Sequence, residues 1–263
     1  MISVLIPIFN FSVVEFVRDL HQQASQTGVD FEIRCYDDGS AEAYRQGNQC
    51  IREWEQVVYQ ELPENIGRSR IRNRLARDAA YHYLLFADCD ARTTHSTYIQ
   101  HYVDVIRQWG SSQLVVYGGH EYPEHPPSRY NALMHWTYGR TKDQLPAESR
   151  KKNPYVSFKT INFLIARSLF LNTLLDEQLQ GYGHEDTLMA LRLRQRQVPI
   201  YHIDNPLCHL GLVDNHTFLE KTQESVRNVA YLIRKGYLKR EIKLSRTYFW
   251  LKWLGLRRLG LRL

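Results

Sequence analysis

The chain lacks several features that would place it in a membrane or in an oxidising compartment. No stretch approaches the roughly 18 consecutive apolar residues of a transmembrane helix, and no basic region precedes an apolar core at the amino end. Residues 1–7 instead have the pattern of a first β-strand. The four cysteines show no C-x-x-C spacing, so they do not indicate a zinc or redox motif. We therefore expect a cytoplasmic protein with free thiols.

A surplus of basic residues is also missing from most of the chain, although the net charge is +6. Residues 239–263 hold eight Lys or Arg and one acid, Glu241, and so carry +7 by themselves. Residues 1–238 consequently come to about −1. A near-neutral body argues against a nucleic-acid-binding protein, which needs cations to neutralise phosphates.

The composition that is present is that of an ordinary folded protein, with 43% hydrophobic and 24% charged residues. Strands are predicted at residues 3–9, 31–36 and 57–62, with helices between them, which gives the order β-α-β-α-β. This order predicts an α/β protein with a mostly parallel central sheet flanked by helices. Ser12 and Glu15 have the spacing of a capping box and would start the first helix.

Two aspartates follow the next predicted strand. Residues 84–87 carry no charge and run directly into Asp88 and Asp90. Ligands bind at the carboxyl edge of open α/β sheets, and carboxylates there suit Mg²⁺ or Mn²⁺, ions that often carry substrate phosphates. On this segment alone, two acidic turn residues without a ligand remain the alternative.

A glycine-led helix start precedes that strand. Gly67 permits a tight entry, and Arg68, Arg70 and Arg72 follow at once. The helix dipole and the fixed guanidinium charges both favour a bound diphosphate. A solvated helix face rich in arginine is the alternative for this segment.

A third group of polar residues lies in the second half of the chain. Glu185 and Asp186 precede a predicted helix at residues 187–197, where backbone dipoles stabilise anions. An ionised carboxylate at such a position can act as a general base, whereas an acidic N-cap is the alternative. His209, after a predicted strand at residues 198–203, is either a metal ligand or a structural histidine.

One segment has no regular pattern. Residues 120–156 contain five prolines and many aromatic side chains, which predicts an irregular loop. Long loops inside compact domains are usually lids or binding loops, so we expect this one to close over a ligand. A strand at residues 159–166 follows it, and a long helix begins at Asn215.

Taken together, these segments resemble glycosyltransferase family 2, the nucleotide-sugar transferases of GT-A type. Five motifs occur in the order of that family: its opening strand at residues 4–10, its D-D-G-S element at 35–40, its N-x-G…R-N segment at 65–73, its D-x-D at 88–90 and its G-x-E-D motif at 183–186. The resemblance covers residues 1 to about 235. Residues 213–215 are similar to a version found in bacterial members that build polysaccharides.

The resemblance implies a GT-A (Rossmann-like) fold with a C-terminal helical extension. It also implies that Asp186 is the base, that Glu185 orients the acceptor, and that the cofactor is Mn²⁺ or Mg²⁺. The implied metal ligands are Asp88, Asp90 and His209. The implied contacts with the nucleotide-sugar, including that of Asp38 with uracil, are Pro7, Asn10, Asp38, Gly67, Arg72, Asn73 and Asp88. We assign the pocket for the donor or acceptor sugar to Gly118, Gly119, Asn162, Gly183 and His184.

The implied activity is metal-dependent, inverting transfer of a hexosyl or N-acetylhexosaminyl group from a UDP-sugar. The acceptor would be a hydroxyl of a glycan or lipid-linked glycan in polysaccharide biosynthesis. A nucleotidyltransferase would also use a D-x-D, but residues 8–12 are not the glycine- and lysine-rich loop expected of one. A non-catalytic nucleotide-sugar-binding module would need no base.

The predicted organisation is a glycosyltransferase domain with a tail. We expect a domain at residues 1–235, with a nucleotide-binding half at 1–117 and an acceptor-binding and catalytic half at 118–215. Residues 236–263 form a basic amphipathic tail, in which Trp and Leu alternate with Lys and Arg as in interfacial membrane helices. The tail would hold the protein peripherally at the inner face of the cell membrane through anionic lipids. Packing of the tail on the domain is the alternative.

Overall fold

The computed structural model of the protein describes residues 1–179 and 181–253, with side chains as far as residue 250. The strands are β1 (Ile2–Ile8), β2 (Phe31–Asp37), β3 (Val57–Glu61), β4 (Tyr83–Ala87), β5 (Ala91–Thr93), β6 (Val115–Tyr117), β7 (His120–Glu121), β8 (Asn162–Ala166), β9 (Tyr201–His202) and β10 (Leu207–His209). The helices are α1 (Val14–Gln26), α2 (Glu42–Asn48), α3 (Arg68–Asp78), α4 (Tyr98–Trp109), α5 (Leu133–Tyr138), α6 (Ala147–Lys151), α7 (Arg167–Leu171), α8 (Glu185–Gln195), α9 (Asn215–Arg234) and α10 (Lys243–Trp253).

The central sheet has seven strands in the order β3-β2-β1-β4-β8-β6-β9. β1 pairs in parallel with both β2 and β4, whereas β8 is antiparallel to both of its neighbours. The prediction of a mostly parallel sheet is therefore confirmed. β8 comes from the second half of the chain and lies between β4 and β6 of the first half, so a single sheet contains strands from both halves of the chain.

Both faces of the sheet are covered by helices. Val4 and Ile6 of β1 pack in a cluster with α1 and α4, and Leu5 packs in a second cluster with α3, α7 and α8. This division follows from the alternation of side chains along a strand. The sheet is thus the middle of three layers, and the polar residues that follow its strands emerge at its edge.

A small second sheet brings a late strand to the Asp-Cys-Asp segment. Its order is β5-β10-β7, with β10 antiparallel to β5 and parallel to β7. In this register His209 is paired with Ala91, the residue directly after Asp90. The backbone N–H of Leu210 also donates to the carbonyl of Asp90 at 2.7 Å.

The first helix does not use the predicted capping box. α1 begins at Val14, and no side chain caps it. The side chain of Asn48, not that of Ser12, bonds to the backbone at the start of this helix. Its Oδ1 accepts from the backbone N–H of Val13 at 3.0 Å, and its Nδ2 donates to the carbonyl of Phe11 at 2.9 Å. The prediction was wrong because a buried amide from another helix replaced the local hydroxyl.

The segment predicted to be irregular contains more regular structure than expected. Residues 120–156 include β7, α5 and α6, together with a 3₁₀ turn at Tyr130–Ala132 and a π-helical turn at Gly139–Asp143. Its aromatic residues hold these short elements together, as where the indole N–H of Trp136 donates to the carbonyl of Pro123 at 2.8 Å. The prediction of an irregular loop is therefore wrong, and the role of this segment as a lid stays a prediction.

The described part of the tail packs on the body. Leu238 and Ile242 join a cluster with Leu188, Val229 and Leu232, and α10 contacts α9. No helix in the described residues is long and apolar enough to cross a membrane. The side chains after residue 250, which carry part of the predicted tail, lie outside the described residues.

Candidate active site

Asp38 follows β2, and its carboxylate connects that strand to the start of α3. Its two oxygens accept hydrogen bonds from the backbone N–H groups of Ile66 at 2.7 Å and Gly67 at 3.1 Å. Gly67 has a φ of 89°, which glycine adopts without steric cost. Burial raises the pKa of Asp38, and the two N–H donors oppose that rise. Asp38 thus shapes the entry to α3, while its contact with uracil stays a prediction.

The two residues predicted from the opening strand lie beside this turn. Pro7 is paired with Tyr36 in the register of β1 with β2. Asn10 has a φ of 50°, and its Oδ1 accepts from the backbone N–H of Ala41 at 2.8 Å. Its own N–H donates to Oγ of Ser40 at 2.8 Å. These bonds tie the loop after β1 to the loop after β2.

Arg72 and Asp88 form an ion pair under the candidate site. The guanidinium of Arg72 donates to Oδ1 of Asp88, and the side chain of Arg72 is only 3% exposed. Nε of Arg72 is buried and has no hydrogen-bond partner among the described residues. A charge this deeply buried is stable only with its partner, so Arg72 fixes the direction of the Asp88 carboxylate.

Asn73 is packed into the interior. Its Nδ2 donates to the carbonyl of Leu175 and to Oε1 of Glu177, both at 2.9 Å, and its Oδ1 accepts from the N–H of Leu175 at 3.0 Å. Both amide hydrogens are used, and the residue has no exposed surface. These bonds argue against the predicted contact with a nucleotide. The residue instead joins α3 to the segment before α8.

Asp90 and His209 lie side by side. Nδ1 of His209 is 3.4 Å from Oδ1 of Asp90. Burial disfavours the charged carboxylate, but His209, Arg68 and Lys221 together outweigh burial, so the pKa of Asp90 lies below its usual value. Gly211 completes this arrangement, because a Cβ at that position would collide with the carboxylate of Asp90.

The donor set at this point fits Mn²⁺ better than Mg²⁺. A carboxylate suits either ion, whereas an imidazole is a ligand of transition metals, and phosphate oxygens and water commonly complete such a site. Asp90 and His209 therefore fit as two protein ligands. Within residues 1–179 and 181–253, no group of three or more His, Cys, Asp or Glu is arranged to hold a metal ion. Asp88, which is held by Arg72, stays a prediction as a third ligand.

The turn before α8 is built from a glycine and a strained histidine. Gly183 has a φ of 90°, and His184 has a φ of 73° at the N-cap position. Nδ1 of His184 is 3.1 Å from Oγ1 of Thr187, and Nε2 is 2.9 Å from Oγ of Ser225. Because both ring nitrogens are engaged, His184 holds the turn against α9. Its place in a sugar pocket stays a prediction.

The two acids predicted for catalysis begin α8, two residues earlier than the pattern suggested. Glu185 is 7% exposed, and Asp186 is partly buried. Oδ1 of Asp186 accepts from the backbone N–H of Thr187 at 2.6 Å. Burial raises the pKa of Asp186, although the charge of Lys159 opposes the rise. A carboxylate with a raised pKa at a helix start has the properties of a general base.

Sequence reasoning missed the charge network beside Asp186. Lys159 donates to Oδ1 of Asp143, while Nε2 of His120 is 2.8 Å from Oδ2 of the same carboxylate. Burial alone would raise the pKa of Asp143, but Lys159 and His120 hold it far below its usual range. The charge of Asp143 in turn raises the pKa of Lys159. Burial lowers the pKa of His120. No spacing in the sequence signals this network, since its members lie 16 to 39 residues apart in a segment without periodicity.

Two residues predicted to line a sugar pocket belong to the core instead. Asn162 has no exposed surface, and its Oδ1 accepts from the hydroxyls of Tyr98 and Tyr102, both at 2.7 Å. Its Nδ2 donates to the carbonyls of Gly119 and Asn205 at 2.7 and 2.9 Å. A Cβ on Gly118 would collide with the hydroxyl of Tyr102. Asn162 therefore has no bonding capacity left for a sugar, because the polar groups of the core already use it.

Arg68 connects the two acidic groups of the site. The residue is exposed to solvent. Desolvation of its charge by the surrounding protein lowers its pKa, but the charges of Glu185, Asp88 and Asp90 outweigh that effect and raise the pKa. The acids that follow β4 and the first acid of α8 therefore act on the same cation. A cavity of ≈ 250 Å³ opens here, lined by Asn65, Ile66, Gly67, Arg68, Ser69, Arg70, Glu177, Leu179 and Gly181.

Comparison with known proteins gives one family match. The model described as glycosyl transferase family 2 matches residues 3–170. No curated protein matches the chain by sequence.

Solved structures provide matches to the fold. TarS 1–349 from S. aureus is 15% identical, with a TM-score of 0.56 over 87% of this chain and 65% of that one. TarS 1–349 has also been solved with UDP and with UDP-GlcNAc. The mannosyltransferase PcManGT from Pyrobaculum calidifontis, in complex with GDP-Man and Mn²⁺, is 16% identical, with a TM-score of 0.62 over 93% of this chain and 67% of that one. The chain thus spans about two thirds of these relatives, and at such identities the likeness is one of fold.

Proposed function

Since the chain belongs to glycosyl transferase family 2 and has the GT-A fold, we propose that it is an inverting glycosyltransferase that uses a UDP-sugar. The group transferred is a hexose or an N-acetylhexosamine. The acceptor is a hydroxyl of a glycan or of a lipid-linked glycan in polysaccharide biosynthesis. Residues 1–117 bind the nucleotide, and residues 118–215 bind the acceptor and supply the base.

The observation that carries this proposal is that two groups of carboxylates from distant segments of the chain both act on the charge of Arg68. The charges of Asp88 and Asp90, which follow β4, and of Glu185, which begins α8, all act on its guanidinium. A transferase needs charged groups near the diphosphate of its donor and, close to them, carboxylates that orient and deprotonate the acceptor. The convergence of both sets on one cation supports a transferase better than a module that only binds.

The reaction proposed for this geometry is a single displacement. The acceptor hydroxyl attacks the anomeric carbon while its proton passes to the carboxylate of Asp186. The bond between the anomeric carbon and the phosphate oxygen breaks, and its electron pair leaves with UDP. Glu185, the neighbouring residue, orients the acceptor. One attack on the face opposite UDP inverts the anomeric carbon, so no carboxylate needs to act as a nucleophile.

Asp90 and His209 are the residues that would hold the divalent cation, with Asp88 near the ribose or on the same ion. When bound, Mn²⁺ or Mg²⁺ would offset the negative charge that develops on the leaving UDP. Asp38 would accept from uracil, and Gly67 would let the backbone approach the nucleotide closely.

The test is release of the nucleotide from a panel of donors. UDP-glucose, UDP-galactose, their N-acetyl forms and GDP-mannose are incubated with the protein and Mn²⁺, and free UDP or GDP is measured. We expect release from at least one UDP-sugar, loss of release in EDTA, and slow release by Asp186→Asn. Release from GDP-mannose alone would contradict the uridine donor.

A thermal-shift screen with the same donors separates catalysis from binding. A donor at 100 times its Kd adds roughly 2.7 kcal/mol to the stability of the protein. A donor that stabilises the protein but is never hydrolysed or transferred would favour a binding module. Release of pyrophosphate from UTP would instead favour a nucleotidyltransferase.

The C-terminal tail extends the proposal to a membrane surface. Residues 239–263 combine a charge of +7 with Trp and Leu side chains, and Trp250 is 59% exposed although α10 packs on α9. Each cation near an anionic leaflet contributes about 1 kcal/mol. We expect sedimentation with anionic vesicles that weakens as salt rises and disappears when residues 239–263 are deleted. If the protein stays in the supernatant with anionic vesicles at low salt, the membrane role is rejected and the tail serves only to pack on the domain.

A further inference from the structure

Two cations from distant parts of the sequence lie against one tyrosine ring. Arg68 begins α3, and Lys221 belongs to the second turn of α9. The guanidinium carbon of Arg68 is 4.7 Å from the ring centroid of Tyr182, and Nζ of Lys221 is 5.4 Å from the same centroid. Tyr182 sits in the glycine turn before α8, so three elements meet here.

Among the described residues, neither cation forms a close ion pair, although the charges of Asp90 and Glu185 act on Arg68 and those of Asp90 and Glu224 act on Lys221. In the described part of the chain, no Asp or Glu oxygen lies within 4.0 Å of the charged nitrogens of Arg68 or Lys221. Arg68 is exposed, and Lys221 is partly buried. Like charges held near each other repel, and the charge of Arg68 adds to burial in lowering the pKa of Lys221. An anion between them would remove that repulsion.

The position of these cations matches the edge where the donor would bind. The charges of both Arg68 and Lys221 act on Asp90. Arg72, one turn further along α3, bonds to Asp88 and also donates to the carbonyl of Arg68 at 3.3 Å. Lys221 lies beyond residues 3–170, which are the part of the chain that the family model matches. No family motif therefore assigns a role to it.

We propose that Arg68 and Lys221, which both lie against the ring of Tyr182, together bind the diphosphate of the donor. Helix α9 then supplies part of the donor site. This inference rests on the proposed function, because the diphosphate is that of the UDP-sugar. Arginine offers a planar fork of donors and lysine a compact point charge, and charge-assisted bonds to phosphate are the stronger class of hydrogen bond. The same pair stabilises UDP as it leaves.

Calorimetric titration of charge-removing variants tests the pair. UDP is titrated with Mn²⁺, and pyrophosphate is titrated in EDTA, into wild type, Lys221→Met and Arg68→Met. The matched control is Lys235→Met, since Lys235 lies at the end of the same helix with its Nζ 5.7 Å from the ring centroid of Tyr231. We expect Lys221→Met and Arg68→Met to weaken both ligands by about 10- to 100-fold and Lys235→Met to bind as wild type does.

Further arms separate this inference from the proposed function. Lys221→Met should weaken the binding of UMP less than that of UDP, because UMP lacks the outer phosphate. Lys221→Arg, which keeps the positive charge, should bind UDP almost as tightly as wild type does. UDP affinity of Lys221→Met equal to that of Lys235→Met would overturn the inference alone. Wild type that binds pyrophosphate but not UDP would reject the uridine donor and keep the anion site. Wild type that binds neither ligand would reject both.

Discussion

The two sides of the candidate site are built differently. On the nucleotide side, Asp38 is fixed by two backbone N–H groups and Asp88 by the buried guanidinium of Arg72. On the catalytic side, the hydrogen bonds to Asp186 come from the neighbouring Thr187, while its electrostatic environment comes from Lys159 in another segment. The first side is held by direct bonds, and the second is tuned by charge at a distance.

This difference matches the two tasks that we propose. A nucleotide-binding surface loses affinity if its groups must be ordered on binding, so groups that are bonded in advance are an advantage. A base must change its protonation state during each turnover and so benefits from an adjustable pKa. Changes on the first side should therefore affect binding, whereas changes on the second should affect rate and pH dependence.

The largest expected effect is on the nucleotide side. Asp90→Ala removes the carboxylate that lies beside His209, and we expect it to abolish Mn²⁺-dependent binding of UDP, measured by calorimetry. Asp104→Ala is the control, because Asp104 is an exposed aspartate on α4. Undiminished binding by Asp90→Ala would remove the metal role of this residue.

On the catalytic side, Asp186→Asn keeps the shape of the side chain and removes the proton acceptor. General-base catalysis contributes roughly 10²- to 10⁴-fold, so we expect kcat to fall within that range. The affinity for UDP, measured separately, should change little. If Asp186→Asn turns over normally and Glu185→Gln is inactive, the two roles are reversed.

A smaller effect is expected at Lys159, which we regard as a positioning residue. The pKa of Asp186 is already raised by burial, and Lys159 opposes that rise. Because a base acts when ionised, activity should increase as pH rises through this pKa. Lys159→Met should raise the pKa further and move the acidic limb of the kcat profile to higher pH, while activity at high pH is kept.

Two variants control for the ion pair that Lys159 makes with Asp143. Lys159→Arg should retain the wild-type profile, because it retains the charge. The double variant Lys159→Met with Asp143→Asn removes both charges and should shift the acidic limb less than Lys159→Met does. An unchanged acidic limb in Lys159→Met would mean that Lys159 serves only the packing of residues 120–156.

The smallest effect concerns the space around Asp90. A Cβ on Gly211 would collide with the carboxylate of Asp90, whereas a Cβ on Gly47 in α2 meets nothing within 4 Å. Gly211→Ala should lower the free energy of unfolding by about 1–3 kcal/mol, as overpacking does, and should weaken Mn²⁺ binding. Gly47→Ala should stabilise by about 0.4–1 kcal/mol. Both are measured by chemical denaturation, and equal stabilities would show that Asp90 can move freely.

The sequence was sufficient to locate a candidate site residue where that residue adjoins its own strand or helix. Asp88 and Asp90 follow an uncharged strand, and the acids at residues 185 and 186 begin a helix, so local pattern located them. The order of strands and helices likewise predicted a mostly parallel sheet. Gly67 was predicted as a tight helix entry, and its positive φ agrees with that.

Tertiary structure decided which polar residues face the site and which complete the core. Asn73 and Asn162 have the residue type of a ligand contact, yet the side-chain amides of both form hydrogen bonds within the protein. Lys159 and Lys221 reach the site from segments that no motif marked. The physical reason is that the spacing of apolar residues indicates which face of a single helix or strand is buried, but not which other element packs against that face. The pairing of β10 with β5, the insertion of β8 and the docking of α9 depend on contacts between residues far apart in the chain.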